Sequence, residues 1–376
     1  MQTPIAQRLD IEFPIFAFTH CRDVVAAVCN AGGMGVLGAV GFTVDQLRQE
    51  LDWLDEHVEG TYGVDIVIPG EYEGMDEMDP EKLEETLKSM IPDEVRSFAK
   101  RIFDDAGVPE LSEDEKPHEL LGFGLATAMP LLEEAISRPK CSLIANALGT
   151  PPGHVIEQVQ SGGRLIGALC GSVKHALNHK EAGLDFVVCQ GGEGGGHTGD
   201  VGSIVLWPEV IEAVGDTPVL AAGGVGSGKQ MAAAMVMGAQ GVWTGSLWLT
   251  VEEADIPPGQ MDTYMGATSR DTIRSRSWTG KPCRMLRNDW TEAWEQPDTP
   301  DPLGMPMQSM VSVEAMARGH RYPVQAKDVN FMPCGQIIGR FDKVRRSSDV
   351  ILEMVEEFVE CMERGASLLQ VEDPVA

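Results

Sequence analysis

Asp185–Asp200 reads DFVVCQGGEGGGHTGD. Its first five residues are a short apolar run with the look of a buried strand. The chain then enters a glycine-rich loop in which three consecutive glycines, Gly194 to Gly196, deliver a histidine, His197. Glycines in a row permit positive φ and let a flat ligand approach the backbone closely. An imidazole just past them can exchange protons near neutral pH. Strand, glycine loop and histidine together predict the wall of a cofactor pocket.

Outward from this stretch, short β-rich runs alternate with helical patterns. Strands are expected at Pro14–Phe18, Gly35–Ala39, Gly63–Ile68, Cys141–Ala145, Arg164–Leu169, Asp185–Cys189, Pro218–Ala222 and Gly241–Thr244. Helices are expected at Asp23–Asn30, Val44–His57, Pro152–Gln160, Val173–Ala182, Pro208–Val214 and Gly228–Met237. The first of these stops at Gly32-Gly33, and the second carries Leu47, Leu51 and Leu54 at helical spacing. Eight strands, each trailed by a helix, fit a closed (β/α)8 TIM barrel better than an open sheet.

Two regions break the rhythm. Residues 69–116 are rich in Glu, Asp and Met and carry two helical patterns, Pro80–Met90 and Pro92–Ala106. The segment follows the third strand, so it forms an acidic rim insertion at the C-terminal face, where barrel enzymes build lids. A solvated insertion with no part in chemistry is an equal reading. From Asp255 an accessory segment runs to the end, with a Pro-rich stretch, Gln296–Pro306. Its last helix, about Ser348–Arg364, sets Val350, Met354, Phe358 and Cys361 on one face and completes the barrel by packing. The barrel itself is then residues 1–68 and 117–254.

The second chemical signal is Ala221–Gly228, AAGGVGSG, between a strand and a helix. A glycine-rich turn that opens a helix exposes backbone N–H groups to an anion, aided by the helix dipole. The third is Thr244-Gly245-Ser246, directly after the next apolar run. Loops after strands seven and eight of a barrel commonly form one phosphate site. Each cluster alone reads as a tight turn; in this order the two favour a phosphate.

Composition bounds the partners. Of 376 residues, 43% are hydrophobic, enough for a full core. The 58 acidic and 29 basic residues leave a formal charge of −29, which repels phosphate backbones and argues against nucleic acid. Eight scattered cysteines without a CxxC pair suggest a reducing compartment. No export signal is evident and no apolar run is long enough for a membrane span. These features predict a cytoplasmic protein. They leave its oligomeric state open, a homo-oligomer included.

QGGEGGGHTG, PVLAAGGVGSG and MGAQGVWTGSLWL, in this order, resemble the signature series of the nitronate monooxygenases, formerly 2-nitropropane dioxygenases. NAGGMGVLGA, YGVDIVIP, SWTGKPCRMLRN and GQIIG fit the same pattern, so the resemblance spans nearly the whole chain apart from the acidic insertion. It implies an FMN-binding (β/α)8 barrel. By the same resemblance Gly223, Gly224, Gly245 and Ser246 would hold the FMN phosphate. Gln190 would hydrogen-bond the flavin ring, and Gly195 would line it because a side chain there would collide. His197 would be general base or anchor for an anionic substrate, and Glu193 would brace the loop. Asp65 stands where the family often has Asn; a carboxylate cannot donate a hydrogen bond unless protonated. Lys174 would either neutralise charge near the ring or face solvent.

Strand one departs from the family. Ala17-Phe18-Thr19-His20-Cys21 replaces a Gln or Gly followed by Ala/Pro-Pro-Met. His20 is then either a catalytic or substrate-contacting residue or a cap for the next helix. The resemblance implies oxidation of a small alkyl nitronate, with O2 as co-substrate, to a carbonyl compound and nitrite. The altered strand-one end and the insertion, with Met75, Met78 and Met90, motivate an alternative. In it, NAD(P)H would reduce the flavin, and a quinone or enoyl thioester would be the acceptor. A flavin-binding module without catalysis is the third reading.

Overall fold

The computed structural model describes residues 1–69, 80–117 and 125–369. Its strands are β1 (Ile15–Thr19), β2 (Met34–Gly38), β3 (Tyr62–Asp65), β4 (Cys141–Asn146), β5 (Leu165–Cys170), β6 (Phe186–Gln190), β7 (Gly196–His197), β8 (Val219–Ala222), β9 (Gly241–Thr244), β10 (Thr272–Ser275) and β11 (Cys283–Leu286). The parallel strands β1, β2, β3, β4, β5, β6, β8 and β9 close into a barrel in that order. Closure is made by β9 against β1, with Ile15 opposite Val242 and Ala17 opposite Thr244. The fold is a (β/α)8 TIM barrel, and each expected run overlaps one of its strands, with ends that differ by a few residues.

Alternation along the strands builds two shells. Phe16, Met34, Val36, Leu143, Leu165, Phe186, Val188, Leu220 and Trp243 form one buried cluster inside the barrel. Their neighbours in sequence, such as Ile15, Ala17, Leu37, Ile166, Val187 and Val242, join the layers under the helices. Helix Pro4–Leu9 lacks any sequence-level expectation, yet Ile5 and Leu9 belong to the interior cluster, so it plugs the barrel.

Two boundaries differ from expectation for visible reasons. The third strand ends at Asp65, because Ile68 is drawn away: its N–H and C=O bond the Asn146 side chain at 2.9 and 3.0 Å. The helix expected to start at Pro208 runs Ser203–Val214 and carries that proline inside it. Proline is favoured in a first turn, but here Leu206 and Trp207 are already buried ahead of it.

The insertion is not a freely solvated segment. Helix Asp93–Asp105 buries Val95, Phe98, Ala99, Ile102 and Phe103. These residues share a core with Trp278, Trp290 and Trp294 of the accessory segment. The Trp278 and Trp290 rings stack at 4.2 Å, and Phe103 meets Trp290 edge-on at 5.6 Å. The Arg318 guanidinium, 2% exposed, ties the two regions by donating to the Pro109 carbonyl at 3.0 Å and to Asp104 Oδ1 at 2.9 Å. The expected helix Pro80–Met90 is present, with Met90 exposed; Met75 and Met78 lie outside the described residues.

The last helix, Ser347–Ser367, packs on helix Gly228–Val236 and helix Arg22–Asn30. Val350 and Met354 are buried and Phe358 packs against the core. The contact is close: a Cβ on Gly228 would come within 2.0 Å of the Met354 carbonyl oxygen. All eight cysteines are free thiols. Among the described residues, no helix is long and apolar enough to cross a membrane, and no cluster suits a metal ion.

Candidate active site

The expected site residues converge at one end of the barrel. Gln190 closes β6, Gly223 and Gly224 follow β8, Gly245 and Ser246 follow β9, His20 follows β1, and Asp65 closes β3. In barrel order β6, β8, β9, β1, β2 and β3 are consecutive neighbours. The residues therefore line a continuous arc of the C-terminal mouth.

The glycine turn after β8 differs from expectation in its anion. The amide of Gly228, at the start of the following helix, donates to Glu357 Oε2 at 2.9 Å. Thus the helix N-terminus is met by a carboxylate of the chain's own last helix. The turns themselves remain available. Among the described residues, the amides of Gly223, Gly224, Gly245 and Ser246 have no hydrogen-bond acceptor within the protein. Gly223 and Gly224 hold φ of +88° and +72°, which suits only glycine well. Free amides from two adjacent strand ends are the donor set a phosphate requires.

The loop after β6 is stitched to the accessory segment. Gly196 and His197 form β7, paired antiparallel with Arg284 and Cys283 of β11. Gln190 Nε2 donates to the Gly195 carbonyl at 2.8 Å, which bends the loop back over its own strand. Gly195 must be glycine for a reason the sequence did not show. A Cβ there would lie 2.7 Å from the Cys334 carbonyl carbon and the Gly335 nitrogen, so protein backbone, not only a ring, needs that space. Gly335 in turn donates to Ser246 Oγ at 2.8 Å, and the Gln336 amide to the Glu193 carbonyl at 2.9 Å. The GQIIG segment thus joins the triple-glycine bend to the turn after β9.

Glu193 braces this loop. Its Oε2 accepts the Ser203 amide and lies 2.8 Å from Ser203 Oγ. Arg284 Nε donates to the Gly192 carbonyl at 2.8 Å. Glu193→Ala is expected to cost about 1–3 kcal/mol, since it strands the Ser203 amide, while the Ser203 hydroxyl keeps the Gly223 carbonyl at 2.8 Å. Faster amide exchange across residues 190–200 would report it; unchanged exchange and melting would show the carboxylate to be a bystander.

Both histidines keep solvent access, although protein packs around their rings. His197 Nε2 lies 2.8 Å from Thr279 Oγ1, and that hydroxyl donates to the Lys281 carbonyl at 3.2 Å. With its proton so used, Thr279 accepts from Nε2–H, which leaves Nδ1 as the unprotonated nitrogen. Loss of solvent, followed by the charge of Lys281, lowers the His197 pKa below the ordinary histidine value. His20 does not cap the next helix, which starts at Arg22 with Cys21 as its N-cap. Its Nδ1 lies 2.9 Å from the Gly38 carbonyl. A carbonyl only accepts, so Nδ1 carries the proton and Nε2 is free. Loss of solvent lowers this pKa also.

Asp65 is 1% exposed and its Oδ2 has no hydrogen-bond partner among the described residues. Burial pushes its pKa up to about 7. Lys174 is exposed at the start of helix Val173–Glu181. Thr279, Ser203, Arg284 and Gly335 carry parts of this arrangement that sequence reading did not assign. The only signal for three of them was their place in the SWTGKPCRMLRN and GQIIG motifs.

A description of the nitronate monooxygenase family matches residues 3–357. The chain belongs to that family. Members of the nitronate monooxygenase family are FMN-dependent, and the protein is a flavin-dependent oxidoreductase with FMN as cofactor. A Mycobacterium tuberculosis protein named as a monooxygenase is 45% identical, over 98% of this chain and 100% of its own. A "Probable nitronate monooxygenase" of Staphylococcus saprophyticus is 28% identical over 85% of this chain and 89% of its own. Two solved structures share the family fold at lower identity. Nitroalkane oxidase from Streptomyces ansochromogenes has a TM-score of 0.78 at 22% identity, covering 96% of this chain and 99% of that one. FabK from Thermotoga maritima has a TM-score of 0.73 at 24% identity, covering 98% and 99%.

Proposed function

We propose that this enzyme oxidises small alkyl nitronates, with O2 as co-substrate, to a carbonyl compound and nitrite. The observation that carries the reading is His197, set by β7 at the barrel mouth with Nε2 engaged and Nδ1 free. Bound FMN supplies the electron transfer that no side chain here can perform. The chain's own residues bind and orient. The free amides of Gly223, Gly224, Gly245 and Ser246 hold the phosphate; Gln190, Gly195 and Asp65 border the ring. For a neutral nitroalkane, His197 Nδ1 takes the α proton, which its lowered pKa permits at neutral pH. His20 offers its unprotonated Nε2 as a hydrogen-bond acceptor to a bound water or to a donor on the substrate. The eight free cysteines support a cytoplasmic setting.

The test is anaerobic titration of the purified yellow protein with NADH or NADPH, then with a primary alkyl nitronate, followed by admission of O2. The expected result is little bleaching by the nicotinamide, and nitronate-dependent O2 uptake with release of nitrite. Rapid bleaching by NAD(P)H with no nitrite would replace this reading by reduction of a quinone or enoyl thioester.

A further inference from the structure

Asp65 poses a problem that the activity does not explain. It ends β3, in register with Gly38 of β2 and Ala145 of β4. Tyr62 and Val64 of the same strand join the layer under the helices, so Asp65, on the other face, turns into the barrel mouth. Its carboxyl is enclosed, with Oδ2 unpartnered. The in-register residues on either side bring no side-chain donor. Gly38 and Ala145 have no polar side chain, and the next residue of β4, Asn146, gives its side-chain amide to the carbonyls of Ile68, Leu148 and Gly149. The titratable neighbour is His20, whose ring lies over Gly38 and whose lowered pKa keeps it neutral near pH 7. No cation pairs with Asp65 among the described residues. An enclosed, unpaired carboxylate is costly, and in a chain of net charge −29 the cofactor phosphate would add to the repulsion.

We propose that Asp65 holds a proton and donates it as a hydrogen bond to an acceptor on the FMN ring, so that cofactor capture is coupled to proton uptake. A protonated carboxyl meets both constraints at once: it removes the buried charge and supplies the donor that a carboxylate lacks. Its carboxyl pKa, pushed up to about 7, puts the coupling in the physiological range. The inference rests on the placement of the flavin ring against β3.

The experiment is FMN binding to the apo-protein, followed by flavin fluorescence from pH 5.5 to 8.5, for the wild type and Asp65→Asn. The amide is a donor at every pH. The FMN phosphate titrates alike with both proteins, so the ratio of their affinities is the readout. Wild type should match Asp65→Asn at the acid end and weaken relative to it by about tenfold per pH unit above the carboxyl's titration. Calorimetry of the wild type alone at pH 8, in two buffers of different ionisation enthalpy, should show net uptake approaching one proton per FMN. Parallel pH profiles, or wild-type binding that tightens with pH, would overturn the proposal. So would the absence of proton uptake. Failure of both proteins to bind FMN at any pH would instead remove the cofactor placement itself.

Discussion

His197→Asn is expected to lower turnover of a neutral nitroalkane by about 10²–10⁴-fold, the range for loss of a positioned general base. Turnover of the preformed nitronate should fall far less, because its α proton is already gone. The wild-type rate on the neutral substrate should drop as pH falls through the His197 pKa, which lies below the ordinary histidine value, and level off above it. Thr279→Val removes the partner that holds Nε2–H and frees Nδ1. Its cost should be smaller, about tenfold, comparable to one hydrogen bond. Full activity of His197→Asn on the neutral substrate, with FMN retained, would end the base assignment.

The apo-protein carrying Asp65→Asn is expected to melt above the wild type at pH 8 and together with it near pH 4. In the unfolded chain the carboxyl ionises near its ordinary value of 3.8, whereas in the fold it keeps its proton until about pH 7. Between these values the folded state binds more protons, so stability attributable to Asp65 falls as pH rises and stays low above the window. The penalty is at most on the order of 4 kcal/mol at pH 8, or roughly 5 °C in melting temperature. Coincident melting at both pH values would mean that the carboxyl finds a donor in the folded apo-protein. The penalty fits a site residue: the fold carries an unsatisfied group that a bound ring can satisfy.

The barrel was legible because its signals are local. Alternation of apolar runs with helical patterns needs only a few residues at a time, and each of the eight barrel strands overlaps an expected run. Gln190, Asp65, His20, Gly223 and Gly245 were legible as rim residues for the same reason, since each follows directly from the end of a strand. The helix start at Gly228 shows how far a local pattern reaches. Its local pattern called for an anion, and Glu357, more than a hundred residues later, fills that place. The insertion was half misread. Its acidic surface suggested solvent, while Phe98 and Phe103 pack against tryptophans nearly two hundred residues away.

From sequence alone came the chain reversal at each strand end, the list of residues at the mouth and the expectation of a flavin there. Tertiary structure alone decided how that mouth is built. Joining β7 to β11 presents His197, closing Gly335 on Gly195 excludes a side chain, and burying Asp65 with Oδ2 unpartnered among the described residues raises its affinity for a proton. The division has a physical cause. Strands and turns are set by short-range sterics and periodicity, whereas pairing, close approach and desolvation depend on partners that the chain meets only after it has folded.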